Sequence, residues 1–209
     1  VENSINFNED TTSVISLSGV DVEGDTINFS CSASANSTAT LTDNNCSIVP
    51  EENFHGDFDL TIKADDGTTA NNRTIKVTIN PINDSPILAA ISTKTTAEDT
   101  SRTITLVGSD IDGDTLSYLC SANQGATTSI SNDQCTINPA ENFNGTIEVI
   151  ATVSDGVLAD QKTFNLTVTP VNDAPVITVT DKSTNEENTI VIPISASDID
   201  QDQLSYICS

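Results

Sequence analysis

Motifs in this chain recur in a fixed order at intervals of 88 or 89 residues, as from Asp110 to Asp198 and from Glu9 to Glu98. A repeat of this length predicts a row of small domains, because each such unit is long enough to enclose a core of its own. We therefore expect repeats over residues 1–85 and 86–174, and the N-terminal part of a third repeat over residues 175–209. The recurring motifs are Glu-Asp-Thr at Glu9 and Glu98, Asp-x-x-Gly-Asp at Asp21 and Asp110, Asn-Phe-x-Gly at Asn53 and Asn142, and Asn-Asp-x-Pro at Asn83 and Asn172.

Within a repeat, short runs rich in β-branched residues alternate with turn signals, and no segment has the period of a helix. In residues 60–64 and 75–79, apolar and polar side chains alternate, which indicates strands with one buried face. The pattern predicts an all-β fold of tandem seven-stranded Greek-key β-sandwiches arranged end to end. The strands expected in the first repeat are residues 4–8, 13–19, 26–32, 38–42, 46–50, 58–64 and 74–80.

The cysteines follow the same repeat. Cys31 and Cys46 are separated by the same distance along the chain as Cys120 and Cys135. This equal spacing predicts one disulfide within each repeat and an oxidising, extracytoplasmic location. The fifth cysteine, Cys208, corresponds to Cys31 and Cys120, so its partner is expected about 15 residues further along the chain.

Charge and composition exclude several classes of function. The 31 acidic residues against 7 basic ones give a net charge of −24, which would repel the phosphates of a nucleic acid or an anionic membrane surface. No apolar run is long enough to span a bilayer. A single histidine and an aromatic content of 4% leave little for a catalytic triad, a multi-histidine metal site or a sugar-binding cleft. We therefore expect no enzymatic activity from this chain.

The acidic residues concentrate in the turns that the predicted topology places at the ends of neighbouring repeats. At each repeat boundary, turns from two domains and the connector between them would bring many carboxylates together. A hard cation that takes oxygen ligands, above all Ca²⁺, would relieve the repulsion. The alternative is a solvated acidic surface in which aspartates only form turns. An EF-hand is a weaker alternative, because the twelfth position of the loop that begins at Asp110 is Ser121 and not Glu.

Together, these motifs resemble the cadherin-like tandem repeats of bacterial surface adhesins and extracellular matrix proteins, and the resemblance covers essentially the whole chain. It implies cadherin- or immunoglobulin-like sandwiches with calcium bound between consecutive domains. At the first boundary, the ligands implied by the resemblance are Glu9, Glu52, Asn83, Asp84, Asp110, Asp112 and Asp155. At the second boundary, they are Glu98, Glu141, Asn172, Asp173, Asp198 and Asp200.

These observations predict a calcium-rigidified structural or adhesive spacer segment of a large secreted or cell-surface protein. Its partners would be other repeats of the same chain or neighbouring copies, with any cell-surface or matrix ligand bound by domains outside this segment. Two alternatives remain open: a subunit of an extracellular protein filament, and a carbohydrate- or ice-binding repeat. The last would need a regular threonine ladder or an aromatic platform, and neither recurs between the two repeats.

Overall fold

The computed structural model describes residues 4–208, and within this range the chain forms eighteen β-strand segments and no helix. The chain divides into two compact units, Val1–Asp84 and Ser85–Ser209. The predicted division into three repeats stays a prediction, and its outermost residues, 1–3 and 209, lie outside the described range.

The first unit is a sandwich of two sheets. Its four-stranded sheet has the order β1-β7-β6-β3, and its three-stranded sheet has the order β2-β5-β4. Strand β1 runs parallel to β7, and the other paired strands are antiparallel. The strands are β1 (Ser4–Asn8), β2 (Ser13–Ser16), β3 (Asn28–Ala33), β4 (Ser37–Thr42), β5 (Asn45–Pro50), β6 (Gly56–Asp65) and β7 (Ala70–Asn80).

The register of the first unit follows from the alternation of its side chains. Leu60 pairs with Ile75 and Phe58 pairs with Val77, so that the apolar residues of β6 and β7 lie on one face. All four are buried. Their polar neighbours point to solvent, as expected for a sheet with one face covered by another sheet.

The second unit repeats this sandwich. Its four-stranded sheet has the order β12-β15-β16-β9, its three-stranded sheet has the order β10-β14-β13, and β8-β11 and β17-β18 form two further pairs. The strands are β8 (Ile87–Leu88), β9 (Lys94–Ala97), β10 (Arg102–Thr105), β11 (Gly108–Ser109), β12 (Ser117–Ala122), β13 (Ala126–Ser131), β14 (Gln134–Pro139), β15 (Gly145–Ser154), β16 (Ala159–Thr169), β17 (Val176–Val179) and β18 (Ile194–Ser197). The two units confirm the predicted all-β sandwich.

The strand count of the second repeat differs from the expected seven, because its first two strands are each interrupted. The first strand is divided into two segments. The first segment, β8, pairs antiparallel with β11, and the second, β9, pairs parallel with β16. Gly108 lets β11 lie close to the opposite sheet, because a Cβ there would lie 2.9 Å from a methyl carbon of Val153 and 3.0 Å from the Tyr118 hydroxyl. Leu88, in the paired strand β8, is part of the core and is 1% exposed.

Both predicted disulfides are confirmed, and each joins the two sheets of its sandwich. Cys31 in β3 is bonded to Cys46 in β5, and Cys120 in β12 is bonded to Cys135 in β14. Within the described range, Cys208 is the free cysteine, and it is exposed.

Candidate metal centre

Glu98 is a buried carboxylate whose position is set by the backbone. It follows β9, is 3% exposed, and its amide donates to the carbonyl of Thr169 at 2.9 Å. Its Oε1 accepts a hydrogen bond from the amide of Val171 at 2.5 Å. The side chain is therefore held against the connector that follows β16. Glu9 has the same arrangement in the first unit, with Oε1 2.6 Å from the amide of Ile82.

The connector after β16 supplies the second carboxylate. The Asn172 amide side chain donates to the carbonyl of Asp173 at 2.9 Å, which fixes the bend of the connector. The amide of Asp173 donates to Oδ2 of Asp200 at 2.7 Å. The Oδ2 atom of Asp173 is buried, and no donor among the described residues forms a hydrogen bond with it. A buried carboxylate oxygen in this situation lacks the compensation that burial requires.

The third carboxylate comes from a turn organised by Asp198. Its Oδ1 accepts hydrogen bonds from the amides of Asp200 at 3.0 Å and Asp202 at 3.3 Å. This is the local turn that aspartate forms with the backbone that follows it. Asp110 makes the same two bonds, to the amides of Asp112 and Asp114, so the motif builds the same turn each time it occurs.

These elements bring Glu98, Asp173 and Asp200 together, with one carboxylate oxygen of each lying within 4.8 Å of the others. A calcium ion bonds to oxygen at about 2.3–2.6 Å, so a single ion can contact three oxygens at such separations. Glu141 and Asp198 line the hollow of about 380 Å³ that also contains Asp173. Five of the six residues expected at the second boundary thus surround or form one site, and the sixth, Asn172, braces the connector.

The electrostatics of this group favour a bound cation. The pKa of Asp173 is raised above its ordinary value, first by burial and then by the neighbouring charges of Asp200, Asp99, Glu98 and Asp198. A raised pKa means that the ionised carboxylate is disfavoured where it lies. A cation between the three carboxylates would reverse this effect by supplying the missing opposite charge.

The residues expected at the first boundary belong to two separate units, and each is described within its own. Glu9 is buried, Glu52 is exposed, and the Asn83 side chain donates to the carbonyl of Asp84 at 3.1 Å. Asp110 and Asp112 form a group with Asp114 in which the oxygens lie within 4.8 Å of one another. Asp155 accepts hydrogen bonds from the amides of Val157 and Leu158 and so closes its own turn. A shared site at this boundary stays a prediction.

In each repeat, one aspartate that was not among the predicted ligands joins two turns. Asp99 adopts a left-handed conformation, with φ of 56°, and its Oδ1 accepts a hydrogen bond from the amide of Asn142 at 2.9 Å. Asp10 makes the matching bond to Asn53. These contacts fasten the turn after β9 to the turn before β15. The signal was present, since both aspartates are the middle residue of the repeated Glu-Asp-Thr motif.

Comparison with known domain families agrees with this architecture. Residues 82–169 match the family of cadherin-like domains, and residues 1–80 match that of bacterial Ig domains. These matches support the interpretation of the chain as repeats similar to bacterial cadherin-like domains. Cadherin-like and bacterial Ig domains are typically extracellular or on the cell surface and are typically non-enzymatic, and cadherin-like domains generally bind Ca²⁺.

Individual proteins similar to these cadherin-like repeats include an animal cadherin and a bacterial hydrolase. A crystal structure of human protocadherin-24 EC1-2 is 15% identical, with a TM-score of 0.50, and the match covers 79% of this chain and 93% of that one. It supports the sandwich fold. Chitinase A of Pseudoalteromonas piscicida is 29% identical over 156 residues, which are 71% of this chain and 18% of the enzyme. The chain thus spans less than a fifth of that relative.

Between residues 4 and 208 there is no helix of the length and apolar character needed to cross a membrane.

Proposed function

We propose that these cadherin-like repeats form a calcium-stiffened structural or adhesive spacer in a larger secreted or cell-surface protein. The observation that carries the proposal is the group of Glu98, Asp173 and Asp200, with its buried and unsatisfied carboxylate oxygen. The sandwich fold by itself does not require three carboxylates at one point, and the mutual repulsion of the carboxylates opposes such an arrangement.

The chemistry of the group favours calcium over softer metals. Its candidate ligand atoms are carboxylate oxygens, and neither cysteine nor histidine takes part. Ca²⁺ accepts six to eight such ligands in flexible geometry. Glu141 and Asp198, which line the same hollow, are the residues that would complete the coordination.

Repeat equivalence extends the proposal to the first boundary. Glu9, Asp84 and Asp112 occupy the positions of Glu98, Asp173 and Asp200 in the repeated motifs. A cation at this boundary would draw ligands from two units and the connector at once, and so limit their relative motion. The complete proposed set is Glu9, Glu52, Asn83, Asp84, Asp110, Asp112 and Asp155.

The direct test of the second-boundary site is a calcium titration of the full chain by isothermal calorimetry. We expect affinity in the range of about 10⁻⁴–10⁻³ M that is typical of extracellular modules. Glu98→Gln keeps the shape of the side chain and removes one charge, and it should weaken binding at one site about tenfold or more. Glu148→Gln, an exposed position in β15, makes the same chemical change and should leave calcium binding unaltered. Equal affinities for the two variants would refute this assignment of the ligand.

The partners in this proposal are further repeats of the same polypeptide or neighbouring copies. In the spacer function, the repeats hold a recognition or catalytic domain away from the surface to which the protein is attached. Sedimentation over a wide range of concentration separates this role from that of a filament subunit, because only a subunit would assemble into polymers.

A second function is favoured by the similarity to Chitinase A of Pseudoalteromonas piscicida. We propose as the alternative that the repeats are an accessory module joined to the catalytic domain of a polysaccharide-degrading enzyme. A pull-down on insoluble chitin, with cellulose as the control surface, tests whether such a module itself binds polysaccharide. Retention on chitin alone would favour the accessory role, and the absence of retention would leave a plain spacer.

A further inference from the structure

The outer face of the second unit is formed by the side chains of β12, β15 and β16 that point away from its core. These side chains alternate with buried ones along each strand. Leu119 in β12 is 60% exposed, and Ile150 in β15 is 37% exposed. The register pairs Leu119 with Thr152 and Ile150 with Ser121, which makes the two aliphatic residues diagonal neighbours about 7–8 Å apart. An exposed aliphatic pair therefore lies on this face.

The first unit provides an internal comparison, because the same sheet occurs there 89 residues earlier in the chain. Its outer face is charged, and two ion pairs join four of the charged side chains. Ser30 and Thr61 occupy the positions that Leu119 and Ile150 have in the second unit. The charged residues of that face are Asp57, Asp59, Lys63, Asp65 and Lys76.

The equivalent positions of the second unit are almost free of charge. They hold Thr146, Glu148, Thr152, Ser154 and Asn165. Among the described residues of the outer face of the second unit, Glu148 alone is charged. The whole chain carries 31 acidic and 7 basic residues. The second unit therefore combines an aliphatic pair with a nearly neutral surface at a place where the first unit has neither.

The size of the face limits the strength of any contact that it makes. At the usual spacing and rise of β-strands, the three strands cover roughly 15 Å by 30 Å, or about 450 Å² in projection. A standard protein interface buries about 800 Å² on each partner. The face is therefore suited to a weak and reversible association.

We propose that the outer face of the second unit is the contact surface for a second copy of this chain, with the two faces packed about a two-fold axis. Such packing would place Leu119 and Ile150 of both copies between two sheets about 10 Å apart. The proposal specifies how neighbouring copies of the proposed spacer would meet, and in that respect it rests on the proposed function.

Charge favours a second copy over other partners. Two chains of net charge −24 repel each other, and a nearly neutral face is where this repulsion is least. A basic partner would be attracted to the acidic turns and not to this face. The strands that form the face present no aromatic ring to stack on a sugar, since Tyr118 lies on the core side of β12. A like face needs neither opposite charge nor aromatic rings.

The test is sedimentation equilibrium of the full chain in chelator at about 0.15 M salt. Every protein carries Cys208→Ala, so that disulfide-linked pairs through the exposed thiol cannot form. We expect pairs with a dissociation constant of about 10⁻⁴ M, as suits an interface of less than standard size. Raising the salt concentration should tighten the pair about threefold or more, because screening reduces the repulsion between the chains.

The test variant combines Leu119→Ser, Ile150→Thr and Thr152→Lys, the residues that the first unit has at these positions within the same fold. It should pair at least about tenfold more weakly, because apolar area is lost and like charges face each other across the two-fold axis. The control combines Val107→Thr and Val157→Ser, two exposed positions outside the face, and should pair like the parent. Circular dichroism should show the same fold for all three proteins.

Equal pairing of the parent and the test variant would overturn the proposal, as would equal weakening in the control. Assemblies that grow beyond two chains would also contradict a closed pair. A parent that stays monomeric at about ten times the expected dissociation constant but still binds calcium would refute this face and leave the proposed spacer standing. If the parent is monomeric and chitin retains it but not the test variant, the face binds polysaccharide and the proposal is wrong.

Discussion

At the scale of single residues, Asp173 is a carboxyl whose ionisation is opposed by its surroundings, so that its pKa is raised. Its neighbours Asp200, Asp99, Glu98 and Asp198 are all acidic, and burial acts in the same direction on its pKa. In the absence of a cation, the ionised form of Asp173 therefore reduces the stability of the folded second unit. In the presence of a cation, the same charge would stabilise it.

This opposition predicts that Asp173→Asn stabilises the second unit in the absence of calcium and destabilises it in the presence of calcium. A carboxyl whose folded pKa is raised favours the folded state at low pH, and that contribution is lost as the pH rises through the folded pKa. In chelator at pH 7, we expect the variant to unfold at a higher temperature than the parent, with the gap closing near pH 4. In saturating calcium, we expect the parent to be the more stable protein.

Tyrosine fluorescence reports on this unit alone, because both tyrosines of the chain, Tyr118 and Tyr206, belong to it. Asp181→Asn is the control, since that residue is exposed and lies outside the acidic group. A variant that is less stable than the parent in chelator would contradict the electrostatic account.

The sequence predicted the acidic residues of the site better than the contacts that hold them. The recurrence of Glu98, Asp173 and Asp200 in matched motifs was sufficient to place them at one repeat boundary. The hydrogen bond from Val171 to Glu98, and that from Asp173 to Asp200, were not predictable. They depend on the path of the connector, and a connector has no periodicity from which its path can be read.

At the scale of strands, the prediction was good where alternation was long and poor where it was short. Strand β1 has the expected bounds, and β7 begins four residues earlier than expected, at Ala70. The pair of β8 and β11 was missed, because two residues cannot show a period of two. The pair depends on packing around Leu88 and Gly108 by residues that are distant from them in the sequence.

The contribution of a disulfide to stability can be tested at this scale. Replacing Cys120 and Cys135 together by alanine removes a link that closes 15 residues. We expect the free energy of unfolding of the second unit to fall by about 3 kcal/mol, since the unlinked unfolded chain gains conformational freedom. Urea unfolding followed by tyrosine fluorescence measures the change. Cys208→Ala, at the exposed free cysteine, should leave the midpoint unchanged, and a comparable loss there would invalidate the comparison.

At the scale of the whole molecule, the calcium proposal predicts a change in flexibility. Without calcium, repulsion among the acidic groups should let the repeats swing relative to one another. With calcium, shared ligands should restrict them to a narrower range of arrangements. Small-angle X-ray scattering in calcium and in chelator should therefore give different distributions of interatomic distance.

Asp112→Asn should reduce this difference without unfolding either unit, because the side chain is exposed and lies outside the cores. Circular dichroism of the variant should match that of the parent. Identical scattering curves in calcium and chelator, together with no heat of calcium binding, would rule out calcium stiffening.

The parallel pairing of the first and last strands of each sandwich has a consequence for a protein under tension. Strand β1 lies beside β7 over Ser4–Asn8, and β9 lies beside β16 over Lys94–Ala97. When a sandwich is pulled by its two ends, parallel terminal strands slide past each other, and their hydrogen bonds are loaded in shear and must break together. Antiparallel terminal strands would instead be peeled apart one bond at a time. We therefore expect these short parallel contacts, more than the apolar core, to set the load at which each sandwich unfolds.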